Sequence, residues 1–391
     1  MLLDQHRSLA AVAASLCVML AACRDSGSTP ATERADSSGI EIVTHRGPDA
    51  ALDWGFEVAF TLGGKETGEE SFYRIPSGYV AVDAEHSIYV LDRASNRVVV
   101  FDSSGAFVRT MGSEGGGPGE MRFPFALGVS PAGVVSVFDI SKRGLVRFAA
   151  DGAVLDEMRI TFPYGGGVIV DRGESMIIPS QQLDTEQSTF TDELLSIAGE
   201  DTLRLVSNVR QAGGSITLES CGMRLLAMTP IFAPEMRWTP VEGGIAVVTS
   251  AGYEVALYRD DRIVRVVRRP IDPMPATREA ALEELGEGMR VAYPGGVRVC
   301  DNDEVVEQRG FADVIPVIDE LGAGPRGSLW IKRSSGGPEP GPIDVFEEDG
   351  TYRGTLSAGS PFPIAVLGDR IAAVQADESD VERLVVYRIV R

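Results

Sequence analysis

Lysine is nearly missing from this 391-residue chain, with Lys65, Lys142 and Lys332 its only three. Lys+Arg total 36 against 57 Asp+Glu, for a formal net charge of −21. A surface of that sign repels phosphate backbones, which sets nucleic acid aside as a partner. It also leaves no lysine-built basic patch for an anionic membrane. Histidine is as scarce, at His6, His45 and His86, too few for a multi-histidine metal site. Asparagine occurs only at Asn96, Asn208 and Asn302. There is no Ser/His/Asp set, no HExxH, no paired CxxC and no dinucleotide fingerprint. Residues 112–119 are rich in glycine, but no Gly-Lys-Ser/Thr follows and a strand comes next, so they are no phosphate loop.

What is present is material for many short strands. Hydrophobic residues are 44% of the chain, enough for a sizeable core, and Gly 44 and Pro 22 suit frequent turns. The stretch from Pro76 to Pro124 meets itself when shifted along the chain. Val82 falls on Val129, Asp92 on Asp139, Phe101 on Phe148 and Gly105 on Gly152. Such self-similarity is the mark of a repeat architecture. Within the first unit, 79–83, 87–91, 97–102 and 106–111 read as strands, with turn residues at 83–86, 92–96 and 103–105.

Further units follow at 125–160, 163–206 (broken by a polar insertion at 180–192), 237–268 and 316–356. A sixth begins at Pro363 and ends one strand short. Residues 57–63 resemble 106–112, so the N-terminal segment is expected to complete the sixth unit and close the ring. Prolines 76, 124, 163, 240, 316 and 363 recur at the start of the units, where an edge strand tolerates a missing N–H. Two inserts interrupt the series, 207–233 and 275–289. The second reads as a helix capped by Thr277, with Ala281, Leu282, Leu285 and Met289 on one face. It would either pack on one rim or act as a lid over the channel.

The N-terminus has the form of an address. Arg7 precedes an uncharged, mostly apolar run, 8–22, that is short for a spanning helix. Leu20-Ala21-Ala22-Cys23 resembles the bacterial lipobox, which implies cleavage after 1–22 and acylation of Cys23. Acyl chains contribute about 0.8 kcal/mol per buried methylene. Arg24, where retained lipoproteins carry aspartate, implies the outer membrane, on its periplasmic or surface face. Residues 23–39 read as a flexible tether, and 40–391 as the folded domain.

Val90-Leu91-Asp92, 96–102 and Gly105 resemble the NHL repeat. The connector 112–124, with Gly117-Pro118-Gly119-Glu120, resembles the linkers of related bacterial propeller lipoproteins. The resemblance covers about two thirds of the mature chain. It implies an all-β, six-bladed β-propeller of four-stranded antiparallel blades, and little about activity.

Acidic residues recur where innermost strands should end: Asp83, Asp171, Glu242, Asp319 and Asp369. They either form turns through their own backbone or ring one mouth of the channel as a site for a cation such as calcium. His86 stands where other units place a turn glycine (Gly133, Gly173). Cys221 and Cys300 are the two cysteines left beyond the signal and Cys23, and they read either as a disulfide or as two buried thiols. The expected function is a monomeric, non-catalytic envelope lipoprotein, anchored through its lipid, without a cofactor, whose propeller binds a protein, peptide or glycan. The alternative is a metal-dependent, lactonase-like hydrolase or lyase working in the channel.

Overall fold

The strand Ile88–Asp92 is buried at every residue. Side chains alternate along a strand, so burial on both faces means a sheet held between two others. Ile88 and Val90 pack with Leu62, Phe101 and Leu384. Tyr89 and Leu91 pack on the opposite face with Val98, Leu127 and Val137. Repeated around the chain, this pattern makes a six-bladed β-propeller in which each blade shares one apolar cluster with each neighbour. Each fully buried aliphatic or aromatic side chain contributes about 1.5–3 kcal/mol, so the ring is held chiefly by these inter-blade layers.

The computed structural model describes residues 31–391 apart from 66, 67, 73, 294 and 295. The signal 1–22 and Cys23 lie outside the described residues. Blade one runs outward through Val80–Val82, Ile88–Asp92, Arg97–Phe101 and Phe107–Met111, each strand antiparallel to the last. Blades two, three, four and five begin with the innermost strands Pro124–Val129, Val170–Asp171, Arg237–Val241 and Ile318–Ala323. Blade six holds Ala365–Leu367, Arg370–Ala376 and Glu382–Val390. Its fourth strand is Gly55–Leu62, paired antiparallel from Gly55 on Val390 to Leu62 on Leu384. The ring therefore closes with strands from both ends of the chain, as the resemblance of 57–63 to 106–112 implies.

The repeat's turn glycine has a local cause. Gly105, Gly152 and Gly350 hold φ of 87°, 93° and 81°, a region that side chains disfavour. Each N–H donates to the carbonyl three residues back. Pro240 lies within its strand rather than before it, opposite Ile245. An innermost strand pairs on one side only, so the missing donor is tolerated.

The structure corrects three expectations. First, the segment read as a tether does not run to residue 39, because Thr32–Ser37 is a strand hairpinned to Ile40–His45. Ser38 and Gly39 form its turn with φ of 57° and 84°, the two-residue geometry that suits a hairpin. Ile40–His45 then pairs parallel with Arg262–Arg268, which makes blade four six-stranded. Arg34 ties the hairpin to blade five through Asp349 Oδ2 (2.9 Å) and Thr351 Oγ1 (2.8 Å).

Second, the polar insertion at 180–192 does not break blade three into halves. Met176–Asp184, Thr189–Ala198 and Asp201–Gln211 continue through it as one long antiparallel extension.

Third, the helix expected over 275–289 is shorter and is not alone. Helix α1 spans Arg278–Leu285, with the Thr277 hydroxyl accepting from Ala280 N. Helix α2 spans Asn302–Arg309, capped by Asp301, whose side chain accepts from Asp303 N and Glu304 N.

Candidate functional site in the central channel

The six innermost strands surround a cavity of about 590 Å³, within the range of about 300–1,000 Å³ usual for small-molecule sites. Val80, Val129, Ile169, Trp238, Leu321 and Ile364 give it apolar walls contributed by every blade. Innermost strands all run in one sense through the channel, so its two ends differ. At the end where they finish, tight turns lead into the second strands. At the end where they start lie the blade-three extension and both inserts.

Blade three supplies one departure. Its extension places Gln181, Asp192 and Arg210 on a single face beside the cavity. Asp192 is buried, and its Oδ1 accepts from Gln181 Nε2 at 2.7 Å while its Oδ2 accepts from Arg210 Nε at 2.7 Å. The Arg210 guanidinium lies over the Phe190 ring, 4.6 Å from its centre, which fixes its plane.

This network is incompletely paired. Among the described residues, its Asn208 Nδ2 and Arg210 Nη1 are buried with no hydrogen-bond partner, as is Ser180 Oγ on the other face of the extension. A buried polar group left unpaired costs about 1–3 kcal/mol, and such groups call for an explanation in use.

The two inserts supply the other departure, and they fold together. Cys221 and Cys300 are joined by a disulfide, with Cα atoms 4.8 Å apart. Around it lie Ile216, Leu218 and Val305, packed with Met223, Leu285 and Met289. The hairpin Ile216–Leu218/Met223–Leu225 comes from one insert; the other runs on past the expected 275–289, and α1, the hairpin Arg290–Tyr293/Gly296–Val299 and α2 come from it. Between this subdomain and the starts of the blade-four and blade-five innermost strands is a second cavity of about 290 Å³, lined by Phe232, Glu235, Arg237, Glu284, Arg309 and Asp319. Burial holds Arg309 below its ordinary value, and its Nε donates to the Thr229 carbonyl at 2.6 Å. Glu235 and Arg237 line both cavities.

The five recurrent acids do not converge. Asp83 Oδ1 accepts from Glu85 N and Ser87 N, and its Oδ2 from Tyr89 Oη, all at 2.9 Å. Asp171 lines the cavity, but it accepts from Gly173 N (2.8 Å) and Ser136 Oγ (3.2 Å). Glu242 lies in a separate space of about 120 Å³ between blades four and five. Asp319 opens its strand at the opposite end of the channel, 3.3 Å from Lys332 Nζ. Asp369 is exposed on a turn. Among the described residues no three His, Cys, Asp or Glu side chains are grouped to hold a metal ion. His86 adopts φ of 64°, beside 78° and 87° for Gly133 and Gly173, so it serves as the turn residue of its blade.

Gln181, Asp192, Arg210 and Ser180 were not among the residues that sequence singled out. Their signal was the run of polar residues interrupting an otherwise apolar blade.

Residues 74–164 match the family model described as DUF5128, 6-bladed beta-propeller. No curated protein matches the chain. A solved exported protein of Bacteroides fragilis is similar at 14% identity, covering 90% of this chain and 100% of that one with a TM-score of 0.52. A Bacteroides vulgatus member of the duf4221 family is similar at 10% identity over 86% and 99%, with a TM-score of 0.48. A streptogramin B lyase is similar at 9% identity over 80% and 78%, with a TM-score of 0.36. At these identities the likeness concerns the fold alone.

Proposed function

We propose that this chain is a membrane-tethered binding module of the bacterial envelope, non-catalytic and monomeric, whose propeller takes a polar ligand into the starting end of its channel. The observation that carries this reading is the cavity of about 590 Å³ with buried, unpaired polar groups on and behind its wall. The NHL-like repeat is scaffold in this view, and function resides where the chain departs from it.

The tether follows from the lipobox-like 20–23. If Cys23 is acylated, only residues 24–31 separate it from the hairpin strand Thr32–Ser37. Eight extended residues reach about 30 Å at most, which would hold the outer edge of blade four close to the lipid surface. No helix among the described residues is long and apolar enough to cross a membrane.

Fractionation tests the tether. Cys23→Ser should move the chain from the membrane to the soluble fraction, and unchanged membrane retention overturns the lipid anchor. Native mass spectrometry of the detergent-extracted chain tests binding. A co-purifying ligand or partner is expected, and the bare chain in every preparation speaks against a binding module.

A further inference from the structure

The wall where blade three meets blade four carries a second level of information. It holds two basic groups, Arg210 and Arg237, and two acidic ones, Asp192 and Glu235. On this wall each base is matched by an acid, and Asp171 and Glu320 elsewhere in the lining tilt the cavity toward negative charge, so an anion gains no net attraction there. Unpaired donors remain at Arg210 Nη1 and, behind it, at Asn208 Nδ2. Trp238 lines the same cavity from blade four and is partly buried against Ile177 and Leu194.

We propose that this wall is a subsite for a neutral saccharide. A sugar hydroxyl is at once an acceptor and a donor, so one ring can answer the unpaired donors of Arg210 and Asn208 while donating to the carboxylates of Asp192 and Glu235. Its apolar C–H face matches the indole of Trp238. Arg210 is already aligned by Asp192 and Phe190, so little ordering is left for the ligand to impose. A peptide would also supply acceptors, but it brings no row of hydroxyls to match alternating donors and carboxylates. This inference rests on the binding-module reading and names its ligand.

The test is isothermal titration of the detergent-solubilised full chain with maltose, cellobiose and chitobiose, and in parallel with trialanine. At least one saccharide is expected to bind with a Kd of millimolar or tighter. Arg210→Met should weaken it about tenfold or more, the scale of a hydrogen bond to a charged group. Glu235→Gln keeps the test independent of folding. Glu235 is exposed and its ion pair with Arg237 spans 3.7 Å at the surface, so the melting temperature should not fall, while saccharide affinity drops a few-fold. Saccharide binding that neither substitution alters overturns the subsite. Trialanine binding without any saccharide overturns the ligand class and leaves the binding module standing. Silence from both panels overturns the proposal, and a ligand then found by native mass spectrometry would still support the module.

Discussion

Arg269 and Asp344 meet at 2.8 Å with side-chain exposures of 3% and 0%. The pair joins the end of blade four to the third strand of blade five. Tyr253 Oη (2.8 Å) and Thr355 Oγ1 (2.6 Å) donate to the same carboxylate. On its other side Arg269 holds Asp49 at 2.7 Å and lies over the Tyr352 ring, so the segment leading from the N-terminal hairpin is fastened here too. Burial works against the charge of Arg269, and Asp344 and Asp49 outweigh it, so its pKa is raised.

Removing Arg269 leaves the buried Asp344 with only the longer contact to Arg333 Nε at 3.6 Å, and losing one member of a buried pair is costlier than removing both. Arg269→Met should therefore cost about 3–5 kcal/mol in urea denaturation. Arg269→Met with Asp344→Leu should recover part of that loss. A double variant as unstable as the sum of its singles would mean that the pair is not coupled.

His45 stands at the same junction, its ring tilted 31° against that of Tyr352 with centres 4.1 Å apart, and Nδ1 3.2 Å from Thr32 Oγ1. Burial, and then the charge of Arg269, hold its pKa below the ordinary 6.5. The unfolded chain then binds the proton more readily than the folded one, so stability present above pH 6.5 is lost as pH falls below it. The urea midpoint should fall between pH 7.5 and about 5.5, before most carboxylates titrate, and less so in His45→Gln. An identical slope in the variant would remove His45 as the cause.

The disulfide links positions 79 residues apart in sequence, and bridges over loops of that order contribute about 2–5 kcal/mol. Because Cys221 and Cys300 sit in the insert core, the effect should be local. Cys221→Ser with Cys300→Ser should speed amide exchange in the hairpins Ile216–Leu218/Met223–Leu225 and Arg290–Tyr293/Gly296–Val299. Strands of blades one and two should keep their protection. Uniform loss across the ring would show that the insert is part of the global fold.

Calcium distinguishes the two readings of the recurrent acids. Asp83 and Asp171 already accept hydrogen bonds from their own turns, and Asp319 lies at the other end of the channel, beside Lys332. Millimolar calcium should leave the melting temperature within about 1 °C of its value in chelator, whereas a specific site occupied at many times its Kd raises it by several degrees. A rise of that size would revive the cation site.

Much of the ring was legible because a blade is a local object. Alternating apolar residues, Asp and Gly at turns, and a connector of fixed length recur wherever one blade must pack on two others. Even the closure could be read, since Gly55–Leu62 retains the pattern of an outermost strand. The hairpin Thr32–His45 escaped because its first strand is mostly exposed and polar, so composition reads it as linker. The blade-three extension escaped for a related reason: Gln181, Asp192 and Arg210 face a cavity rather than a core. Helix α2 buries only Val305 and Val306, too little to give a helical period.

By itself, then, the sequence determined a repeated blade, the number of blades and the place where the chain departs from repetition. Those follow from periodicity, which is written residue by residue. Only the tertiary structure decided that the two inserts are one subdomain, that the five acids are scattered, and that Asp192 and Arg210 share a cavity with Trp238. Each is a meeting of segments far apart in the chain, and a ring brings such segments together through its curvature, which no local pattern encodes.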